Sequence, residues 1–544
     1  VHLLLQTRCC SVLTTATRAL PATSKLSDTQ VEATFCMTGG VAVSYNAPDQ
    51  VTKKEYFMRK TVHLCVVFFA IAALALLAGC DSAGVVELDP TASILADGPD
   101  LSRGGNSSVR VNVLLNTAIT DEIRAEVETI GKVSDELLSI NAMVVQGKAS
   151  IIEDLQALPY VEAVNFDAER HAPPIVGDAV PDVLVYGMST WDLDAINVTD
   201  VIYEGGAPVA TGRVLGITGS GVYVAVLDTG LVNDWPEYFP AERIATEYAI
   251  SFGGGGGDNG HVSDQPNKWE HDTASHGTHV TSTILGYSFY GTPINGVAPW
   301  ATVIPVKVLN QNGSGWSSVV ARGIEYVGDL KAGPLAEYPV VINMSLGGPV
   351  LDAVEQAAVD YAIAQGVIIV ASAGNNGTAG MGYPGACEPV ISVAASGWTG
   401  EWIASGWPFY PDVPEAIDPL DYYIVDFSGH ELAGQDLDVA APGSWVVGPY
   451  QVSLGQLSYY YLGGTSMASP HVAGIVALMA ELDPTLDAAT AEALLEGAAI
   501  PFEGGAMSRM IVSPYGVEIV EFGDDATGEG LITADAALIA VINQ

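Results

Sequence analysis

Three separated segments carry the residue types that acyl transfer to a hydroxyl needs: a nucleophile, a base to take its proton, and a carboxylate to orient that base. In Val222 to Gly230 an apolar run leads directly into Asp228-Thr229-Gly230. This places the carboxylate at the carboxyl end of a strand, where open α/β sheets gather their active sites. In His276-Gly277-Thr278-His279-Val280 the imidazole of His276 stands at the opening of a helix, and Gly277 lets other backbone come close. In Gly463 to Gly474, GGTSMASPHVAG, a tight glycine turn delivers Ser466 to the start of an apolar helix that continues through Val476 and Met479. Backbone donors at such a terminus can face a developing oxyanion. Of the three segments, the serine string is the most specific.

With Asp, His and Ser in that chain order, Ser189 to Gln544 resembles the subtilase family of serine proteases. The resemblance implies a three-layer α/β sandwich with a mainly parallel central sheet, and hydrolysis of peptide bonds through an acyl-enzyme. It implies that His276 is the base for Ser466 and that Asp228 holds the imidazole tautomer. In Ala373-Gly374-Asn375 it makes Asn375, rather than the neighbouring Asn376, the side-chain donor to the oxyanion. In Asn343-Met344-Ser345-Leu346-Gly347-Gly348 it assigns Ser345, Leu346 and Gly347 to backbone pairing with an extended peptide. Ala371 to Gly374, including Ala373 and Gly374, would form one wall of the primary pocket and Gly382 its floor, which favours large apolar residues on the amino side of the cut. His279 and His471 are structural helix residues by the same resemblance. No cofactor is required for such chemistry, and structural calcium is compatible with it. Asp258, Asn259, Asp264 and Asp272 offer oxygen ligands, but Leu285 to Gly296 lacks the paired asparagines of the family's strongest calcium loop, so the metal ligands stay unassigned.

The elements that must position these residues are legible as periodicity. Val222 to Leu227, Val303 to Val308, Val340 to Met344 and Val367 to Ala371 are short apolar, β-branched runs alternating with helical stretches, the pattern of a parallel sheet covered on both faces. Residues 188–544 therefore read as the catalytic domain. Ahead of it, residues 108–170 form a small α+β module: Val109, Val111, Val113 and Leu115 alternate as a strand, Asp121 to Ile130 is helical, Ala142 to Gln146 is a strand, Ser150 to Leu158 a helix stopped by Pro159, and Val161 to Phe166 a strand. This arrangement resembles the inhibitor prodomain of subtilisin-type proteases, a partner that blocks its own enzyme. Residues 171–187 are Pro-rich and extended, suited to threading through the cleft, and processing is expected there. Gly253 to Gly257 lacks the lysine of a phosphate loop and reads as surface loop. Trp398 to Asp426 is an enlarged, aromatic-rich segment whose default reading is buried packing.

Composition narrows the partners. The 544 residues carry 63 acidic and 20 basic side chains, a formal charge of −43, so nucleic acid is excluded as a partner and protein or peptide substrates are expected. Met58-Arg59-Lys60 followed by the uncharged run Val66 to Leu77 has the order of an export signal, and Leu77-Ala78-Gly79-Cys80 resembles the lipobox of bacterial lipoproteins, which makes Cys80 the lipidation candidate and gives the precursor a membrane anchor. Residues 58–80 are thus a lipoprotein signal, 81–107 a flexible tether rich in Asp, Gly, Ser and Ala, and 1–57 a leader of doubtful translation. The predicted localisation is the cell envelope for the precursor, with the mature enzyme released. Past Cys80 only Cys387 remains, so no disulfide can form in the mature part. Two rivals stay open: an inert surface lipoprotein that binds peptides on the same sheet, and an esterase, although Ser466 lacks the Gly-x-Ser-x-Gly elbow.

Overall fold

The computed structural model describes residues 33–36, 42–45, 108–172, 175–179, 190–204, 207–252, 264–402, 412–414, 416–453, 455–502 and 504–544. The export signal, Cys80 and the tether lie outside the described residues, as do Asp258, Asn259 and Gly253 to Gly257. Chain contacts separate Val1–Ala92 from Ser93–Gln544. In the first unit the described residues form one antiparallel hairpin, Ala33–Cys36 with Ala42–Tyr45, which the sequence reading did not anticipate.

The larger unit is built on an eight-stranded sheet. Its spatial order is Ile250–Ser251, Thr302–Lys307, Tyr223–Asp228, Val340–Met344, Val367–Ser372, Ile391–Trp398 and Tyr422–Ile424, with Val439–Pro442 also paired to Ile391–Trp398. All pairings are parallel except that of Tyr422–Ile424. Successive side chains of a strand face opposite ways, so the unbroken apolar runs feed two cores. Val224, Val226, Val341, Ile368 and Val370 pack with the helices His276–Leu285, Thr465–Leu482 and Ala534–Ile542. Ala225, Leu227, Ile342 and Ile369 pack with Ser317–Ala332 and Ala353–Ala364 on the other face. The result is the expected three-layer α/β sandwich.

The preceding α+β module is a four-stranded antiparallel sheet in the order Lys132–Leu137, Ala142–Lys148, Ser108–Leu115, Val161–Phe166. Val111, Val113 and Leu115 turn one face toward the helices Asp121–Ile130 and Ile151–Gln156. The opposite face, with Val144 and Ala142, packs into the second catalytic core. Periodicity did not reveal the edge strand Lys132–Leu137, because its partly buried residues include Ser134, Asp135 and Glu136 and only Leu137 is fully buried. Three antiparallel hairpins also escaped the sequence reading: Thr199–Glu204 with Ala207–Arg213, Gly286–Phe289 with Thr292–Asn295, and Met507–Ser513 with Gly516–Phe522. In the aromatic-rich segment Trp398, Tyr422 and Tyr423 are buried, while Trp407, Phe409 and Tyr410 lie outside the described residues. Among the described residues no helix is long and apolar enough to cross a membrane.

Candidate active site

Asp228 is the last residue of the Tyr223–Asp228 strand, and His276 is the first of the helix that follows in the same core. Their approach depends on Gly277, where an added Cβ would lie 2.4 Å from the Gly230 carbonyl oxygen and 3.2 Å from the Asp228 side chain. His276 Nδ1 lies 2.9 Å from both Asp228 carboxylate oxygens. The backbone N–H of Thr229 donates to Asp228 Oδ1 (2.6 Å), and the Thr229 hydroxyl accepts from Gly277 N–H (2.9 Å). An Nδ1–H held on the carboxylate leaves Nε2 as the basic nitrogen. That nitrogen is buried and has no hydrogen-bond partner among the described residues.

Ser466 enters at the second residue of the Thr465–Leu482 helix, behind Gly464, whose φ of 154° belongs to glycine. Its hydroxyl donates to the Ser345 carbonyl (3.2 Å), while the Ser345 hydroxyl donates to the Ser466 carbonyl (2.8 Å). Asp228, His276 and Ser466 are 0%, 1% and 2% exposed, so charges formed here are weakly screened. Asn375 Oδ1 accepts from both the backbone N–H and the hydroxyl of Thr465, each at 2.9 Å. That engagement assigns the amide orientation and turns Nδ2 toward the glycine turn: an added Cβ on Gly464 would sit 3.5 Å from it. Asn376 instead precedes the short turn Gly377–Ala379.

The remaining predicted positions surround this centre. The Gly382 N–H donates to the Ala373 carbonyl (2.8 Å), and Gly348 bridges Tyr383. Gly374, with φ of 95°, comes within 3.0 Å of Gly382 N if given a Cβ, so the expected wall and floor meet through glycine. Leu346 is buried in the second core, and Gly347 offers its backbone outward. What it pairs with is the chain's own upstream segment: His171 and Gly347 exchange two hydrogen bonds, of 2.9 and 3.0 Å. Ala172 N–H donates to Gly313 carbonyl (2.9 Å), and Glu169–His171 pairs with Ser314–Trp316 on the other edge. On the far side of Ser466, Ile175–Ala179 pairs antiparallel with Tyr459–Gly463, Ile175 opposite Gly463. Ala172 and His276 line one cavity of about 460 Å³. Sequence reasoning missed Gly313 and the Ser314–Trp316 edge, for which Gly313-Ser314-Gly315 was the available signal.

His279 and His471 are packed. His279 Nε2 donates to the Val446 carbonyl (3.1 Å), and burial pushes its pKa down to about 3. His471 lies between the Met467 carbonyl (2.8 Å) and Asp192 (3.0 Å). The Cys387 thiol is pushed up to about 12 by burial, which removes it as a nucleophile. Of the oxygen-rich residues considered for calcium, Asp272 is fully buried beside Lys307 and Asp228, with burial raising its pKa to about 6, and Asp264 is exposed 3.9 Å from Arg322. Neither belongs to a ligand cluster among the described residues. The cluster that does form among the described residues is Asp436, Asp438 and Glu492, whose carboxylate oxygens lie within 4.8 Å of one another.

Comparison with known proteins identifies the family. Residues 219–528 match the model of the subtilase family, peptidase S8. Subtilisin E of Bacillus subtilis (strain 168) is 30% identical over 373 residues, covering 68% of this chain and 78% of that protein. Thermitase of Thermoactinomyces vulgaris is 33% identical over 262 residues, 48% of this chain and 76% of the relative. In fold the chain is similar to the crystal structure of fervidolysin from Fervidobacterium pennivorans, a keratinolytic enzyme related to subtilisin (TM-score 0.57, 24% identity, 81% of this chain and 62% of that one). An Asp-His-Ser order on a parallel sheet, matched over more than half its length, places this chain in the subtilase family as a serine endopeptidase.

Proposed function

We propose that the chain is an exported, self-inhibited precursor in which Ser466 attacks the peptide carbonyl. The observation that carries this reading is the buried pair of His276 Nδ1 with Asp228, which leaves Nε2 as the free basic nitrogen. His276 takes the proton of Ser466 and returns it to the leaving amine, Asp228 stabilises the imidazolium, and water repeats the sequence on the acyl-enzyme. The Nδ2 of Asn375 and the backbone N–H of Ser466 hold the oxyanion. Ser345 to Gly347 hold the substrate backbone, and the pocket of Ala373, Gly374 and Gly382 takes a large apolar side chain. A fluorophosphonate probe should label Ser466, and Ser466→Ala should abolish labelling and self-processing together. Labelling that survives in that variant refutes the assignment.

The segment 108–170 acts as an inhibitor in this reading, and 169–179 as a strap lying in the cleft in the manner of substrate. Between the two seated stretches the sequence is Ala172-Pro173-Pro174-Ile175, so a cut after Ala172 or after Pro173 would have proline as leaving group. Proline supplies no N–H and crowds the residue before it. Processing is therefore expected downstream of Ile175, after the strap has left Gly463, and N-terminal sequencing of the product tests it; a product beginning at Pro173 or Pro174 refutes it. With Cys80 lipidated, that cut would release the enzyme and leave the inhibitor at the membrane. Calcium would serve stability alone. Asp436, Asp438 and Glu492 fit a hard cation, since Asp438 Oδ1 is buried without a partner and burial, helped by repulsion from Asp436, raises Asp438 to about 7.

A further inference from the structure

The hairpin Met507–Ser513 with Gly516–Phe522 folds back beside the end of the cleft that lies past Ser466. Between it and residues 423–427 and 444–445 is a cavity of about 280 Å³. Gly463 lines that cavity, and Gly463 is also the residue that pairs with Ile175. The cavity thus opens beside the path of a chain on the carboxyl side of the cut.

Its walls combine two chemistries. Trp445, held at φ of 50°, packs edge-on against Trp402 (5.5 Å) and at 5.7 Å from Tyr515. A bulky residue in this conformation is costly and persists where surroundings fix it, often at binding sites. Tyr515 and Ile519, 69% and 71% exposed, carry the apolar wall onto the hairpin. Asp426, Glu518 and Glu521 line the same space, and no lysine or arginine does among the described residues. Arg509, the hairpin's own cation, is directed away, over Phe522 (5.7 Å) and toward the Pro419 carbonyl.

We infer that this cavity is a substrate subsite for a basic side chain just after the cleaved bond. The aliphatic stem of a lysine or arginine lies along Tyr515 and Trp445, and its cation meets the carboxylates of Asp426 and Glu518. The inference rests on Ser466 being the nucleophile and adds a selectivity that the apolar amino-side pocket does not supply.

The test uses the full chain, allowed to process itself, on peptides matched except for Lys or Gln at each of the first three positions after the cut. A Lys-to-Gln ratio of kcat/KM of about tenfold is expected at one of these positions, as two or three partly exposed ion pairs would give. The ratio should fall toward one in Glu518→Gln/Glu521→Gln, whose sites are exposed and whose shapes are kept, and should shrink with added salt in the unaltered enzyme. The same Lys placed four residues before the cut should give no preference. An equal preference on both sides would mean that the overall charge of −43 attracts cations without a subsite, and would overturn the inference. So would a ratio unchanged by the double substitution. Failure to cleave any peptide would instead count against the proposed Ser466 chemistry.

Discussion

Arg170 offers the sharpest test of whether the strap is seated as described. Its guanidinium and the Glu355 carboxylate are 0% and 2% exposed. They make three hydrogen bonds of 3.0, 3.3 and 2.6 Å, and Arg170 also donates to the carbonyls of Val350 (3.0 Å) and Glu169 (3.1 Å). Removing one partner of such a pair leaves the other charge buried and uncompensated, which costs about 3–5 kcal/mol, whereas replacing both by apolar groups costs far less. In a Ser466→Ala background, where the chain cannot cut itself, Arg170→Met should lower the stability of the first denaturant transition by about that amount. Glu355→Met should do the same, and the double variant should recover at least about 2 kcal/mol of the summed loss. If Arg170→Met shifts the transition by less than about 1 kcal/mol, the strap is not held by a buried pair in solution and the proposed self-inhibition loses its anchor.

Other outcomes follow from single sites. Asn375→Ala should lower kcat by about 10²–10³ with little change in KM, the loss the handling of an oxyanion by one donor implies and the one known for the equivalent role in a subtilisin; an unchanged kcat would remove Asn375 from the oxyanion site. Glu401 is buried, accepts from Tyr423 (2.6 Å) and Ser444 (3.1 Å), and burial pushes its pKa up to about 8. The folded protein holds this proton more tightly than the unfolded chain, so the group's contribution is complete below about pH 4.5 and is lost as pH rises through about 8. Glu401→Gln should therefore gain stability over the unaltered chain above pH 8 and gain little near pH 5; a constant difference across that range refutes the assignment. Calcium should raise the thermal midpoint, by an amount equivalent to about 2.7 kcal/mol at a hundredfold excess over Kd, and Asp438→Asn/Glu492→Gln should abolish the rise.

The sequence alone determined the layers of the catalytic domain and the residues offered for chemistry, because both are local signals. Unbroken β-branched runs such as Val340–Met344 announce a strand buried on both faces, and Thr465–Leu482 announces its own helix behind a glycine turn. Tertiary structure decided what the local pattern could not encode. The 2.9 Å approach of His276 to Asp228 needs two strand and helix ends brought together over a glycine. The edge strand Lys132–Leu137 carries no alternation of its own and forms because Ala142–Lys148 offers it a ladder. The Met507–Phe522 hairpin divides its apolar residues between a buried set, Ile511, Val520 and Phe522, and an exposed set, Met510, Val517 and Ile519. Its period therefore gave no indication of which face was core. Pairings such as His171 with Gly347 join residues far apart in the chain, and their energy exists only once the intervening domain has folded and closed that distance.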